Sequence, residues 1–221
     1  MVVNAADPLA QIQEQRQVSE WEFFTMKDAY EDRGVTQYAI EGLFALPSLS
    51  IVYGAPGSFK SLLMADAAMC VAIGRRWLQP RFNDKTVGFD VGQFPAMWLD
   101  FDNGTRVTHE HFDALGHAYG VPEDAPVFYA SMPNPLLNAS LEHHMKDLTD
   151  LVRSHDVKFL VLDNLGRISG GLDENSNAMD KVMQGLRYLA ENTGAAVVVI
   201  HHQRKRQDTA GRPGDALRGH S

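Results

Sequence analysis

Cysteine is nearly absent from this sequence of 221 residues, in which Cys70 is the single example. One cysteine cannot form a disulfide within its own chain, which suits the cytoplasm, so we expect a cytoplasmic protein. Cys70 lies in an apolar, alanine-rich stretch, which predicts a buried packing residue. No run of about 18 apolar residues occurs, so the sequence predicts no membrane span. The N-terminal residues MVVNAADPLAQIQEQ lack the basic-then-apolar pattern of a secretory signal.

The chain also lacks an excess of positive charge, since its formal net charge is −8 at pH 7. This balance argues against a protein that coats nucleic acid through bulk electrostatics. The charge is unevenly distributed: residues 1–50 carry three basic and eight acidic side chains, whereas residues 201–221 carry five basic and two acidic ones. We therefore expect any anionic partner beyond a nucleotide to bind near the C-terminal end.

The hydrophobic content of 44% can supply one substantial core, so a single globular domain at residues 38–221 is predicted, after an N-terminal extension at residues 1–37. Strand candidates alternate with helical patterns: strands at 49–53, 96–101, 126–130, 158–163 and 195–200, and helices at 61–73, 106–119, 140–155 and 176–193. This alternation predicts an α/β fold with a mostly parallel sheet and helices on both faces. Residues 79–95 predict an irregular connection or a surface hairpin.

Residues 54–61 read GAPGSFKS and follow the short apolar run of residues 49–53. This is nearly the phosphate-binding loop G-x-x-x-x-G-K-[ST], in which backbone N–H groups and a helix N-terminus hold phosphates. Lys60 would lie exposed to the phosphate site and reach the β/γ-phosphates, and Ser61 would ligate Mg²⁺. The predicted nucleotide-binding residues are Gly54, Ala55, Pro56, Gly57, Ser58, Phe59, Lys60 and Ser61.

One residue departs from this motif, because Phe59 stands where the pattern has glycine. The alternative interpretation is an ordinary glycine turn that happens to precede a lysine. The apolar run before the loop and the apolar, alanine-rich segment after it favour the phosphate-binding interpretation, since that motif requires a strand before the loop and a helix after it.

Asp163 ends the hydrophobic segment KFLVLDN, about a hundred residues after the loop. In a nucleotide-binding sheet a carboxylate at this position holds Mg²⁺ beside the loop serine, so Asp163 and Ser61 form the predicted metal site. Asp100 and Asp102 in WLDFDNG have the period-two spacing that puts two side chains on one side of a strand. Asp102 is expected to face the ligand crevice and to activate water, or alternatively to cap the helix near Arg106.

His201 and His202 end the last apolar strand candidate, in VVVIHHQRK. Adjacent strand residues point to opposite faces, so one of the two is expected to reach the crevice and bond to the γ-phosphate, while the other is packed or solvated. A zinc site is excluded by spacing, because no nearby cysteine or second ligand cluster completes it.

The segments GAPGSFKS, WLDFDNG, FLVLDNLGRISGGLDENSN, VVVIHHQRK and GDALRG, in this order, resemble the ATPase core of the RecA/DnaB superfamily. The resemblance is strongest to the RepA-like hexameric helicases of plasmid and phage replication, and it covers roughly residues 38–221. It implies a RecA-like P-loop core, and a loop with Phe before the lysine also occurs in that branch. The family continues beyond the position of Ser221, so we expect a fragment or a C-terminally truncated domain.

Carried over to this chain, the resemblance makes Asp102 the catalytic carboxylate, where the family usually has the longer Glu, and His202 the γ-phosphate sensor. It implies that residues 166–177 and 203–217 line a central DNA channel. Arg218 resembles an arginine finger that acts on a neighbouring subunit, or alternatively is a solvated loop arginine. The basic residues expected to bind DNA in the second of these loops are Arg204, Lys205, Arg206 and Arg212.

These observations predict an Mg²⁺-dependent ATPase motor that binds ATP and single-stranded DNA and assembles as a homo-oligomeric ring. Two other functions remain open on the sequence. One is a nucleotide-dependent regulatory switch or recombination mediator that does not translocate. The other is a small-molecule kinase, for which residues 79–95 would have to supply a lid over the substrate.

Overall fold

The computed structural model describes residues 24–79, 87–172 and 177–202. The chain divides into two units between Val35 and Thr36. In the first unit, the described residues form one short helix, α1 (Met26–Ala29). Its N-terminus carries a capping box, in which the Asp28 side chain accepts a hydrogen bond from the Thr25 backbone N–H and the Thr25 side chain accepts one from the Asp28 N–H.

The remaining described helices and strands all belong to the second unit. Its strands are β1 (Tyr38–Ile40), β2 (Phe44–Ala45), β3 (Ser48–Gly54), β4 (Ala96–Asp100), β5 (Val127–Ser131), β6 (Phe159–Asp163) and β7 (Ala196–His202). Its helices are α2 (Lys60–Ile73), α3 (Thr105–Tyr119), α4 (Glu142–Ser154), α5 (Leu165–Ile168) and α6 (Asn177–Thr193).

Five strands form one parallel sheet in the order β3-β7-β6-β4-β5. Since all five run in the same direction, their carboxyl ends lie along one edge, where open α/β sheets bind ligands. The register pairs Gly54 of β3 with His202 of β7 and Asp100 of β4 with Asp163 of β6. His202, Asp100 and Asp163 are therefore gathered, with Gly54, along one edge of the sheet.

Both faces of the central strands are covered, because alternate residues of β6 and β7 enter two separate hydrophobic clusters. Phe159, Val161, Val198 and Ile200 belong to the cluster that contains the buried residues of α2. Leu160, Leu162, Val197 and Val199 belong to the cluster that contains the buried residues of α4 and α6. Burial on both faces explains why these strands are continuous apolar runs in the sequence.

Helix α2 is apolar around most of its circumference, and its small residues suit close packing against the sheet. Its buried residues include four alanines and Cys70, which is 1% exposed. Burial raises the pKa of the Cys70 thiol to about 12, which agrees with a packing role. Because α2 begins at Lys60, its N-terminus lies at the end of the loop that follows β3.

The structure confirms the predicted α/β fold, and each predicted strand and helix matches an observed one to within two residues at either end. One feature was not predicted, the small antiparallel pair that strands β1 and β2 form. An antiparallel bridge joins Trp77 to Phe89, which agrees with the hairpin alternative for residues 79–95. Residues 80–86 of that connection lie outside the described part. Among the described residues, no helix is long and apolar enough to cross a membrane.

Candidate functional site

The loop between β3 and α2 has the backbone geometry of an anion-binding loop. Gly57 has φ of 75°, which favours glycine, and a Cβ added at Gly54 would meet Ser58 Oγ at 3.2 Å, so that hydroxyl would have to shift by a few tenths of an ångström. No side chain caps the N-terminus of α2, so the backbone N–H groups of its first turn receive no hydrogen bond from a capping residue. Unsatisfied N–H groups at a helix N-terminus are suited to binding phosphate.

Lys60 is held inside this loop. Its Nζ donates to the carbonyl oxygen of Gly54 at 3.0 Å, to that of Ala55 at 2.8 Å and to Ser58 Oγ at 3.2 Å. The residue is 6% exposed, so the expectation of an exposed Lys60 was wrong. The physical reason is that an ammonium group has three donors, and the loop itself offers three acceptors within reach of Nζ. A phosphate would have to exchange with these acceptors.

Phe59 occupies the left-handed region, with φ of 60° and ψ of 22°, and its side chain is directed to solvent, with the residue 76% exposed. This backbone conformation explains why the general motif has glycine at this position. The loop therefore keeps the glycine conformation with a phenylalanine in place, at a cost of about 1 to 2 kcal/mol.

Replacing Phe59 tests this strain. Phe59→Gly is expected to change the free energy of unfolding by less than about 1 kcal/mol, because relief of the left-handed strain offsets the greater entropy of glycine in the unfolded chain. Phe59→Val is expected to destabilise by more than about 1 kcal/mol, since β-branched residues rarely adopt positive φ. Urea unfolding of the three proteins measures both changes. Equal stability of the glycine and valine variants would contradict the strained conformation.

Asp163 lies at the end of β6 and is 1% exposed. Both carboxylate oxygens are buried, and neither accepts a hydrogen bond of normal geometry from any residue in the described part of the chain. Burial raises the pKa of this carboxyl above its ordinary value. The nearby Ser61 hydroxyl and His202 lower it, and the charges of Asp100 and Asp102 raise it further. Among the described residues, Ser61 and His202 thus lie close enough to stabilise this charge in part, but they do not offset the cost of burying it.

Asp100 is also buried, but its carboxylate is fully engaged. It accepts hydrogen bonds from the backbone N–H groups of Asp102 and Asn103, from the Asn103 side chain and from the Thr108 hydroxyl, at 2.8 to 3.0 Å. These bonds fix the bend after β4 and tie it to the first turn of α3. Asp100 is therefore a structural residue in this conformation.

Asp102 has left the strand, since β4 ends at Asp100, and its side chain is 35% exposed. Its Oδ1 accepts a hydrogen bond from Arg167 Nε at 2.8 Å, and Arg167 Nη2 lies 2.7 Å from the same oxygen in an ion pair. Its Oδ2 accepts one from Asn164 Nδ2 at 3.3 Å. Helix α3 has Gly104 at its N-cap and no side-chain cap hydrogen bond, so the alternative role of Asp102 as a helix cap is not observed.

His202 pairs with Gly54 across β7 and β3, and its Nδ1 is buried without a hydrogen-bond partner among the described residues. His201 points to the other face, where its ring lies 5.4 Å from that of Tyr53. Of the two histidines, His202 is thus the one beside the phosphate-binding loop and near Asp163.

The residues at this edge fit a divalent cation held next to a phosphate group. Asp163 supplies two buried oxygens without partners, and the Ser61 hydroxyl is nearby. Carboxylate and hydroxyl oxygens are the ligands that Mg²⁺ prefers, and Mg²⁺ in phosphate sites is held by one or two protein ligands and substrate oxygens.

The residues predicted to bind DNA or to act in trans lie outside the described part of the chain, namely Arg204, Lys205, Arg206, Arg212 and Arg218.

Together, the parallel sheet, the strand–loop–helix unit that ends in lysine and serine, and the carboxylate on the nearby strand β6 define a P-loop nucleotide-binding domain. Residues 19–208 match the family model of an AAA domain, AAA_25. The chain therefore belongs to this family of P-loop ATPases, which includes RecA/DnaB-like helicases. A comparison with curated proteins found no significant match. Membership of this family supports nucleotide binding and ATPase activity in general, whereas the assignment to the RepA-like branch stays a prediction.

Sequence reasoning missed two residues of this site, Asn164 and Arg167. Asn164 directly follows the predicted metal ligand, and Arg167 lies in residues 166–177, which the resemblance assigned to a channel loop as a whole. Each bonds to a carboxylate more than sixty positions earlier in the chain. A signal was present only for Asn164, because Asn before a helical turn is typical of an N-cap.

The unpartnered carboxylate generates a prediction for Asp163→Asn. A raised carboxyl pKa means that the wild type loses stability as the pH rises from the ordinary value of 3.8 through the raised one. The variant has no such charge, so at neutral pH without Mg²⁺ it is expected to be more stable, by on the order of 1 kcal/mol. Thermal unfolding across this pH range measures the difference. A variant less stable than wild type at neutral pH would show that Asp163 has a compensating partner.

Proposed function

We propose that this chain is an Mg²⁺-dependent ATP-hydrolysing motor domain that acts on DNA, of the RepA-like replicative helicase type. The observation that carries the proposal is the convergence of the phosphate-binding loop, the buried unpartnered Asp163 and the water-accessible Asp102 at one edge of the sheet. Family membership supports the ATPase part of the proposal.

In this proposal Lys60 and the N–H groups of the loop bind the triphosphate, and Ser61 and Asp163 hold Mg²⁺. The bound Mg²⁺ would neutralise charge that develops on the phosphate oxygens. His202 lies beside Gly54, so its ring is placed to hydrogen-bond with the terminal phosphate and to report its presence to the chain that follows β7.

Asp102 is the proposed general base. Its side chain is partly exposed at the carboxyl edge, whereas Asp100 is buried and has no lone pair free for water. As a carboxylate, Asp102 would accept a proton from the water that attacks the terminal phosphate. It would first have to be released from part of its contact with Arg167.

The proposed action on DNA rests on the sequence rather than on the described site. Arg204, Lys205, Arg206 and Arg212 follow β7 directly and give residues 201–221 a positive balance. Arg218 is proposed as the residue that acts in trans on a neighbouring subunit of a homo-oligomeric ring. Since His202 ends β7 next to the phosphate loop, this order along the chain links the nucleotide site to the basic segment.

One observation favours a second candidate function. Both oxygens of Asp102 accept hydrogen bonds from within the protein, and a base engaged in this way would hydrolyse ATP slowly. A nucleotide-dependent switch or recombination mediator would use such slow turnover as a timer and would not translocate. Stimulation of ATP hydrolysis by single-stranded DNA distinguishes the motor from the switch.

Removal of the Lys60 ammonium tests the nucleotide site. Lys60→Met keeps most of the apolar stem and is expected to lower ATP turnover about 100-fold or more, because the phosphates lose a preorganised positive charge. Lys146→Met is the matched control, since it removes an exposed ammonium from α4. Steady-state phosphate release and thermal unfolding are measured on each protein. Equal turnover by wild type and a folded Lys60→Met variant would remove the phosphate-loop assignment.

Asp102→Asn separates a catalytic role from a structural one. Turnover is expected to fall by about 10² to 10⁴-fold, the usual contribution of a general base, while ATP affinity stays close to that of wild type. Turnover and equilibrium binding of a fluorescent ATP analogue give the two quantities. A joint loss of affinity and thermal stability would instead identify Asp102 as a structural residue.

DNA binding is expected to depend on the basic segment and to weaken as salt rises. Each phosphate contact with a single strand contributes about −0.7 to the slope of log affinity against log salt. Neutralising Arg204, Lys205, Arg206 and Arg212 together should therefore flatten this slope and abolish stimulation of turnover by single-stranded DNA. Fluorescence anisotropy at several salt concentrations measures it. An unchanged slope in the neutralised variant would place the DNA contacts elsewhere.

A further inference from the structure

One contact that the proposed mechanism does not use joins Asp102 to Arg167. Two guanidinium nitrogens, Nε and Nη2, contact the single oxygen Oδ1 of Asp102 at 2.8 and 2.7 Å. The two residues lie 65 positions apart, so local sequence does not bring them together. Asp102 is the proposed general base, and its main partner is therefore a positive charge from another element.

The contacts of Asp102 with Arg167 are concentrated on one of its two oxygens. A carboxylate offers about four lone-pair sites. Arg167 Nε donates to Oδ1, its Nη2 lies 2.7 Å from the same oxygen, and Asn164 donates to Oδ2. A base held in this way is oriented, but the positive charge beside Oδ1 makes that oxygen a weaker proton acceptor.

Arg167 is positioned by the same residue that contacts Asp102 Oδ2. Asn164 is the N-cap of α5, where its Oδ1 accepts a hydrogen bond from the Arg167 N–H at 3.2 Å, and its Nδ2 donates to Asp102. Because Asn164 follows Asp163 directly, this turn connects the candidate metal ligand, the candidate base and the guanidinium. A shift of α5 would therefore change the contacts of Asp102.

The ion pair is also accessible to a competitor. The Arg167 side chain is 63% exposed, and exposed ion pairs contribute little to protein stability. A phosphate group presents several oxygens to a guanidinium in the geometry that it binds best. Such a group, arriving at the carboxyl edge of the sheet, competes directly with Oδ1 of Asp102.

We propose that Arg167 is a positioning residue that exchanges between Asp102 and a phosphate group, and that this exchange makes Oδ1 of Asp102 a stronger proton acceptor for the attacking water. The inference rests on the proposed ATPase function. The phosphate can belong to the nucleotide or to the backbone of a nucleic acid. In both cases Arg167 holds the base when no phosphate is present and releases it when one binds.

A double-mutant cycle measured by thermal unfolding tests the exchange without requiring turnover. The proteins are wild type, Asp102→Asn, Arg167→Gln and the double variant. Without ligand, the two changes are expected to be non-additive by about 1 to 3 °C, because the second change removes nothing once the pair is broken. The cycle is repeated with a non-hydrolysable ATP analogue plus Mg²⁺, and separately with oligothymidylate.

Loss of the coupling with the ATP analogue would identify the terminal phosphate as the competitor, and loss with oligothymidylate alone would identify the nucleic acid backbone. In the first case Arg167→Gln should raise the KM for ATP several-fold. In the second it should raise turnover without DNA and remove the stimulation by DNA. Arg167→Lys, which keeps the charge but not the two-nitrogen contact, should restore these properties only in part.

The control cycle uses Lys146→Gln and Asp150→Asn, which break an exposed ion pair of 2.8 Å within α4. Its coupling should persist with both probes. The inference is overturned if the Asp102–Arg167 changes are additive without ligand, or if their coupling persists with both probes. If the analogue raises the melting temperature of wild type while the coupling persists, the nucleotide site stands and only the role of Arg167 fails.

Discussion

The parallel pairing of β3, β7 and β6 is the constraint on which the site depends. It directs the carboxyl ends of these strands to one edge and places His202 beside Gly54, with β7 between the loop strand and the strand that ends in Asp163. Parallel strands need crossover connections, which are usually helices. Helix α2 follows β3, so it begins at the carboxyl edge of the sheet and packs against one face. Its unsatisfied N–H groups and the strand-end carboxylates therefore belong to the same part of the structure.

Gathering three carboxylates at one edge is electrostatically costly, and the protein compensates two of them with partners but not the third. Asp100 accepts hydrogen bonds that fix the bend after β4, and Asp102 is paired with Arg167. Asp163 has no such partner among the described residues, and burial raises its pKa. A buried carboxylate left in this state destabilises the free protein and favours any divalent cation that reaches it. The buried charge of Asp163 thus lowers the stability of the free protein and at the same time favours the binding of a divalent cation.

The sequence was sufficient for the parts of the fold that depend on periodicity and continuous burial, such as β6, β7 and α2, and for the loop of residues 54–61. It was insufficient where structure depends on distant contacts. Strands β1 and β2 have three and two residues, too short to show a period. The period-two argument for Asp100 and Asp102 failed because β4 ends at Asp100, so the two carboxylates have different environments. The contact of Arg167 with Asp102 has no local signal at all.

The departure of Phe59 from the general motif is resolved by separating what its backbone does from what its side chain does. Anion binding in such loops uses backbone N–H groups. The glycine of the general motif therefore matters because it adopts positive φ readily, and the loop needs no side-chain group at this position. Phe59 adopts φ of 60° and keeps its ring in solvent, so the loop retains the conformation at the cost of local strain. The ring, together with the partly exposed Leu62 and Leu63, also places apolar surface next to the phosphate site. A motif match is therefore better judged by backbone conformation than by residue identity at this position.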